Sequence, residues 1–190
     1  MVAARPAITP PGPGTPPQRE SLPARASLAR RLAALAYESL LLGAVLIAVG
    51  FAAAPLVSPA GPGPGPAAIP LPSAPARIAF FVLLFVVGAA YFGWSWTGGR
   101  RTLPMQTWRL RLVQTDGGAV TAGAGIRRYL AFWIGPAVAI AAYVALRPMG
   151  HARLALCLLA INYLWALVDR DRQFLHDRIA GTRLLRVPAR

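Results

Sequence analysis

Glu38 stands seven residues after Arg31, inside a run from Leu32 to Ala54 that is otherwise almost wholly apolar. A carboxylate at the centre of a spanning helix costs roughly 2.5–3.5 kcal/mol on insertion scales, and less near the interface. Such a group is paired, hydrated or put to work. Seven residues of helix put Arg31 and Glu38 near one face and roughly 10 Å apart along the axis. Both side chains are long, so a water or a residue from another helix can bridge them. Asn162, in the last apolar run, is a second embedded polar group, and Arg30 lies beside Arg31 at the entry to the first run.

Three readings of Glu38 are open on these residues. In one, it pairs with an arginine near the boundary, or with Asn162, and fixes helix register; such contacts between membrane helices are common and modest in energy. In the second, it is a proton or cation site tuned by burial. In the third, the protein is a non-transporting scaffold or adaptor whose loop and tail dock a partner. Asp177, in a basic tail, is expected either to clamp an arginine of the central loop or to form a solvated pair of little worth. No nucleophile–base set or phosphate-cradling loop is visible, so an enzyme is not expected. No cofactor is implied. The two histidines, His151 and His176, fall on opposite sides of the membrane in the topology below, which argues against a shared metal site.

The elements that position these groups follow from composition. The 190 residues are 56% hydrophobic and 14% charged, against about 25% charged in soluble domains. Four runs supply the excess, about 32–54, 78–96, 129–146 and 154–168. The first two approach the ~20 residues that cross a ~30 Å hydrocarbon core. The last, at helical rise, reaches only about 22 Å and needs Arg153 to snorkel or the bilayer to thin. Small residues at 131, 135 and 139 suggest close packing of the first run against the third, with Pro136 available to kink the latter. Cys157 is the single cysteine, so no internal disulfide can form.

Net charge is +14, and every basic residue is arginine. Five arginines precede the first run, six lie between the second and third, and six follow the fourth; only Arg77, Arg147 and Arg153 occupy the other two loops. The positive-inside rule places both termini and the central loop in the cytoplasm, with an even number of crossings. The charge flanks apolar spans instead of lining a soluble face, so nucleic acid is not an expected partner; the bilayer is, with a second copy or another membrane protein as further candidates. Residues 1–27 hold seven prolines and no apolar core of a signal peptide, and read as a solvated arm. The outside loop 55–76 has eight prolines and three glycines and is expected to be non-helical.

The cytoplasmic loop 97–128 is patterned. Thr102–Thr107 suits a short turn of helix, and Trp108–Val113 alternates apolar and basic with the period of a strand. Asp116-Gly117-Gly118 is a turn signal after which Ala119–Thr121 could pair back as a hairpin. Leu175–Thr182 suits a helical turn and Arg183–Val187 a strand. A spacing of 74 residues lays Arg109-Leu110 on Arg183-Leu184, a weak internal repeat of two parallel halves. The expected architecture is therefore an all-α membrane protein of four transmembrane helices in two hairpins. The central loop and the tail add a small cytoplasmic β element.

These residues resemble a known family. Arg30-Arg31 at the first span, the acid seven positions later, the stretch Gly98–Val113 and above all His176–Arg183 (HDRIAGTR) look like the RDD family, bacterial integral membrane proteins named for one Arg and two Asp. The resemblance covers roughly 28–187, leaving 188–190 as tail. Position by position, it makes Arg31 the family arginine and Asp177 the closing aspartate, with Glu38 in place of the first aspartate. It implies a multi-pass protein of the bacterial inner membrane, for which transport of a small cation or solute is a common suggestion.

Overall fold

The computed structural model describes residues 25–57 and 71–188. The expected arm lies outside the described residues except for its last three positions, as do the greater part of the Pro/Gly loop and residues 189–190. Two long helices, α1 (Leu28–Val57) and α2 (Ala74–Trp96), come first, followed by the short α3 (Leu103–Thr107) and strand β1 (Leu110–Gln114). Next come α4 (Ala122–Phe132) and α5 (Ile134–Leu146), then a 3₁₀ helix (Ala152–Ala160) that runs into α6 (Ile161–Val168). Helix α7 (Leu175–Ala180) and strand β2 (Thr182–Arg186) complete the order.

Three helical stretches are long and apolar enough to cross a membrane: Leu28–Val57, Ala74–Trp96 and Ala122–Met149. The fourth, Ala152–Val168, falls short of that length. Its first nine residues are wound as a 3₁₀ helix, where side chains three apart eclipse one another. Burial follows that pitch, with Ala152, Ala155 and Leu158 turned inward, then changes to a four-residue step at Asn162 and Ala166. Helices α1 and α2 also overrun the expected loop 55–76. Pro55 lies within the last turn of α1, and Pro75 occupies the opening turn of α2, where a missing N–H costs nothing.

Large apolar side chains on the long helices, among them Leu40, Ile47, Phe51, Ile78 and Phe81, are exposed. Patches of that extent mark a surface meant for lipid or protein rather than water. The core sits instead at one end, where the start of α1 and the end of α2 meet α3, β1 and α4: Ala34, Phe92, Trp96, Met105, Leu110, Leu112, Val120 and Ala124 are all buried there.

The third stretch breaks at Trp133, for a local reason. Pro136 has no N–H, so it cannot bond the Phe132 carbonyl four residues back. The Asn162 side-chain amide donates to that carbonyl at 2.7 Å instead. In a bilayer, where bulk water cannot reach, a neighbouring side chain is one way to satisfy such a carbonyl. The expected packing of the first run against the third is corrected. α1 packs on α2 and α3, whereas α5 packs on the 3₁₀ helix. Gly135 permits that approach, since a Cβ there would stand 3.0 Å from the Leu159 carbonyl oxygen.

The expected hairpin also gives way. Asp116-Gly117-Gly118 does turn, with Gln114 N donating to Gly118 O at 3.0 Å. The chain then leaves the ladder because Val120 is buried in the core and Thr121 caps α4 by accepting from Ala124 N. Strand β1 pairs antiparallel with β2, Leu112 opposite Leu184. The two segments that the 74-residue spacing relates are thus partners of each other.

Candidate functional site

Glu38 lies on α1 with 9% of its surface exposed. Its Oε1 accepts from the Tyr91 hydroxyl at 2.6 Å, and its Oε2 accepts from the Thr102 hydroxyl at 2.6 Å. Tyr91 comes from α2. Thr102 is the N-cap of α3, and its oxygen also accepts from Met105 N. One carboxylate therefore joins three elements through two neutral hydroxyls. Neither the boundary arginine nor Asn162 is its partner; Asn162 is engaged by the Phe132 carbonyl, and Arg31 reaches elsewhere.

Arg31, 7% exposed, donates from Nη2 to the Arg172 carbonyl, and its guanidinium lies 5.2 Å from the Phe174 ring centroid. Arg172 adopts a left-handed backbone (φ 51°), a conformation uncommon for a residue with a side chain. Arg30 points away from the interior and donates to the Trp108 carbonyl at 3.2 Å, tying α1 to the turn before β1.

Asp177 is 1% exposed and meets Arg128, whose Nε donates to Oδ1 at 2.7 Å. The Thr182 hydroxyl lies 3.3 Å from the same oxygen. Burial by itself would raise the Asp177 carboxyl. The Arg128 guanidinium, with further help from His176 and Arg31, outweighs that and holds it below the ordinary carboxylate range. The Arg128 Cζ also lies 4.3 Å from the Trp96 ring centroid, so the cation meets both a carboxylate and a π face. The neighbouring His176 is 4% exposed, and burial pushes its imidazole down to about 4. It is therefore neutral at pH 7. Its Nε2 lies 3.5 Å from Arg128 Nη2 and 3.9 Å from Asp177 Oδ1, and its Nδ1 is buried without a partner.

The segment His176–Thr182 now reads residue by residue. His176, Asp177 and Ala180 face inward on one side of α7, and Arg178 faces outward to Asp171 at 3.2 Å. Gly181 ends the helix in the left-handed conformation (φ 66°), open to glycine without steric cost. That turn delivers Thr182 to Asp177 and starts β2.

A cavity of about 60 Å³ lies between these groups, lined by Arg31, Glu38, Trp96, Arg128, Phe174 and His176 among others. At ~30 Å³ per molecule in the liquid, that is room for about two waters. The structure thus brings Arg31 and Glu38 to one cavity, with Asp177 behind Arg128 in its wall, and leaves Asn162 and Arg30 outside it. Tyr91, Thr102 and Arg128 are the participants that sequence reasoning did not single out. Arg128 carried a signal, as one of the six central-loop arginines and the second of a pair opening the third run. Tyr91 and Thr102 carried none.

The model of the RDD family matches residues 25–181. No curated protein and no solved structure matches the chain.

Proposed function

The chain belongs to the RDD family, and on that footing we propose that it moves a proton or small monovalent cation across the bacterial inner membrane, with Glu38 as the exchanging group. One observation carries the reading: both Glu38 oxygens are met by neutral hydroxyls, and no ion pair reaches it among the described residues. An apolar helix thus holds a carboxylate that no arginine contacts directly, beside a small cavity whose wall also carries Arg31 and Arg128. Each carboxylate oxygen meets one hydroxyl oxygen, from α2 and from the start of α3, and such hard oxygen donors suit a small cation. A proton can take the same place, because each hydroxyl can turn from donating to accepting.

The arginine count supports an orientation with both ends in the cytoplasm. That orientation calls for the 3₁₀–α6 segment as a fourth crossing, paired with α5. The proposal is of a transporter and not of an enzyme, with the bilayer as its first partner and a second copy or another membrane protein on the exposed apolar faces.

The joining of α1, α2 and α3 through the same carboxylate favours a second reading, a non-transporting scaffold in which Glu38 is a fastening. Purified protein in sealed vesicles separates the two. Under an imposed proton or sodium gradient, a pH-sensitive or a sodium-sensitive dye inside, respectively, should respond with wild type and not with Glu38→Gln. Glu38→Gln should still fold, with a cost of about 1–2 kcal/mol for altered hydrogen bonds. If wild type moves neither ion, the transport reading fails. If Glu38→Gln moves ions as wild type does, Glu38 is only a fastening.

A further inference from the structure

Outside the Glu38 cavity, a second cleft of about 350 Å³ opens at the N-terminal end of α1. Its walls carry Arg25, Arg31, Arg170, Arg172 and Arg183 against a single acid, Asp171. Asp171 is already engaged by Arg25 and Arg178. Among the described residues, the side chains of Arg170, Arg172 and Arg183 make no recorded hydrogen bond or ion pair, and the Arg183 Nε is buried without a partner. Arg31, more than nine-tenths buried, also has an Nε with no partner. Ser27 and Leu28, where a 30-residue helix begins, complete the floor. The first turn of a long helix presents free N–H groups and the positive end of its dipole.

We propose that this cleft binds a phosphate group, supplied either by an anionic lipid headgroup or by a soluble phosphate. Guanidinium forks match phosphate oxygens in pairs, and a phosphate accepts from several donors at once. A helix N-terminus adds donors of the same polarity. Chloride or a single carboxylate offers fewer acceptor atoms to the three unengaged arginines, Arg170, Arg172 and Arg183, than a phosphate does. The position suits either source: the cleft is open to solvent, and it lies where an apolar helix starts, at the level at which headgroups meet a basic juxtamembrane surface. The inference stands on the cleft alone and is independent of Glu38.

The test uses the full chain and two charge-matched double variants. Arg170→Gln with Arg183→Gln removes two cleft arginines. Arg101→Gln with Arg127→Gln removes two exposed arginines that do not line it. Binding of radiolabelled inorganic phosphate is measured by equilibrium dialysis at constant chloride, in nanodiscs of phosphatidylcholine. Lipid retention is read by native mass spectrometry after extraction from equal phosphatidylglycerol and phosphatidylcholine. Phosphate binding by wild type assigns a soluble source; selective retention of phosphatidylglycerol assigns a lipid one. In either case, the cleft variant should bind at least roughly tenfold more weakly, the scale of one lost charge-assisted hydrogen bond, while the control variant matches wild type. The proposal is overturned if wild type prefers neither probe, or if both variants lose binding equally, which would reduce the effect to overall charge.

Discussion

Two buried carboxylates in this protein are held in opposite ways. Asp177 has an arginine, a nearby imidazole and a hydroxyl, and sits in a cap of short elements packed around an apolar core. Glu38 has two hydroxyls and sits where two long apolar helices meet α3. An arginine offsets the charge and fixes its state over the physiological range. At Glu38 two neutral hydroxyls satisfy the carboxylate oxygens, and no arginine contacts them. The same functional group is thus a rivet at one site and, on the transport reading proposed above, an exchangeable station at the other.

Breaking the rivet should have the largest effect. Asp177→Ala strands Arg128 in a buried site, and removing one member of such a pair costs about 3–5 kcal/mol. Thermal unfolding in detergent, with limited proteolysis of the tail, should show loss of the α7–β2 dock. A cost near that of Glu38→Gln would erase the contrast.

Acid should act next, and through His176. Its folded value near 4 lies below its ordinary 6.5. The folded state therefore binds fewer protons than the unfolded chain, and stability falls as pH drops through 6.5 towards 4. The loss should reach roughly 3 kcal/mol at the bottom of that window. Asp177, held below its ordinary 3.8, gives up its contribution only beneath that pH. Unfolding midpoints between pH 7 and 4.5 should slope for wild type and flatten for His176→Phe. An unchanged slope would place the titration elsewhere.

The smallest effect is expected within the apolar part. Asn162→Leu strips the Phe132 carbonyl of its donor and should cost about 0.6–1.7 kcal/mol, the range for polar contacts between membrane helices. Adding Pro136→Ala restores a backbone N–H and should recover part of that cost, so the two changes are non-additive. Strict additivity in a double-mutant cycle would separate the proline from the asparagine.

The sequence disclosed what depends on local pattern and on counting. Alternation in Trp108–Val113 announced a strand, the His176–Thr182 segment announced a helical turn, and arginine sorting announced which loops belong together. Partner choice across distance was hidden. Tyr91 and Thr102 reach Glu38 over 53 and 64 residues, and a lone hydroxyl residue has no spacing that marks it as a donor. The Asp116-Gly117-Gly118 turn made a hairpin plausible by local rules. The burial of Val120 and the capping role of Thr121 overrode it, since both serve α4 and not the sheet. Asn162 was visible as an embedded polar residue. Its task became plain only when the Pro136 defect and the amide were seen side by side.

The 3₁₀ winding of Ala152–Ala160 lengthens the reach of its segment. With about 2.0 Å of rise per residue there and 1.5 Å in α6, Ala152–Val168 extends to roughly 30 Å, the depth of a hydrocarbon core. Wound wholly as α-helix, the same residues would fall about 4–5 Å short, comparable to the difference between thin and thick natural bilayers. The segment is a ruler graduated by pitch instead of residue count. On the four-crossing topology proposed above, exchanging 3₁₀ turns for α turns would match it to bilayers of different thickness without the insertion of a single amino acid.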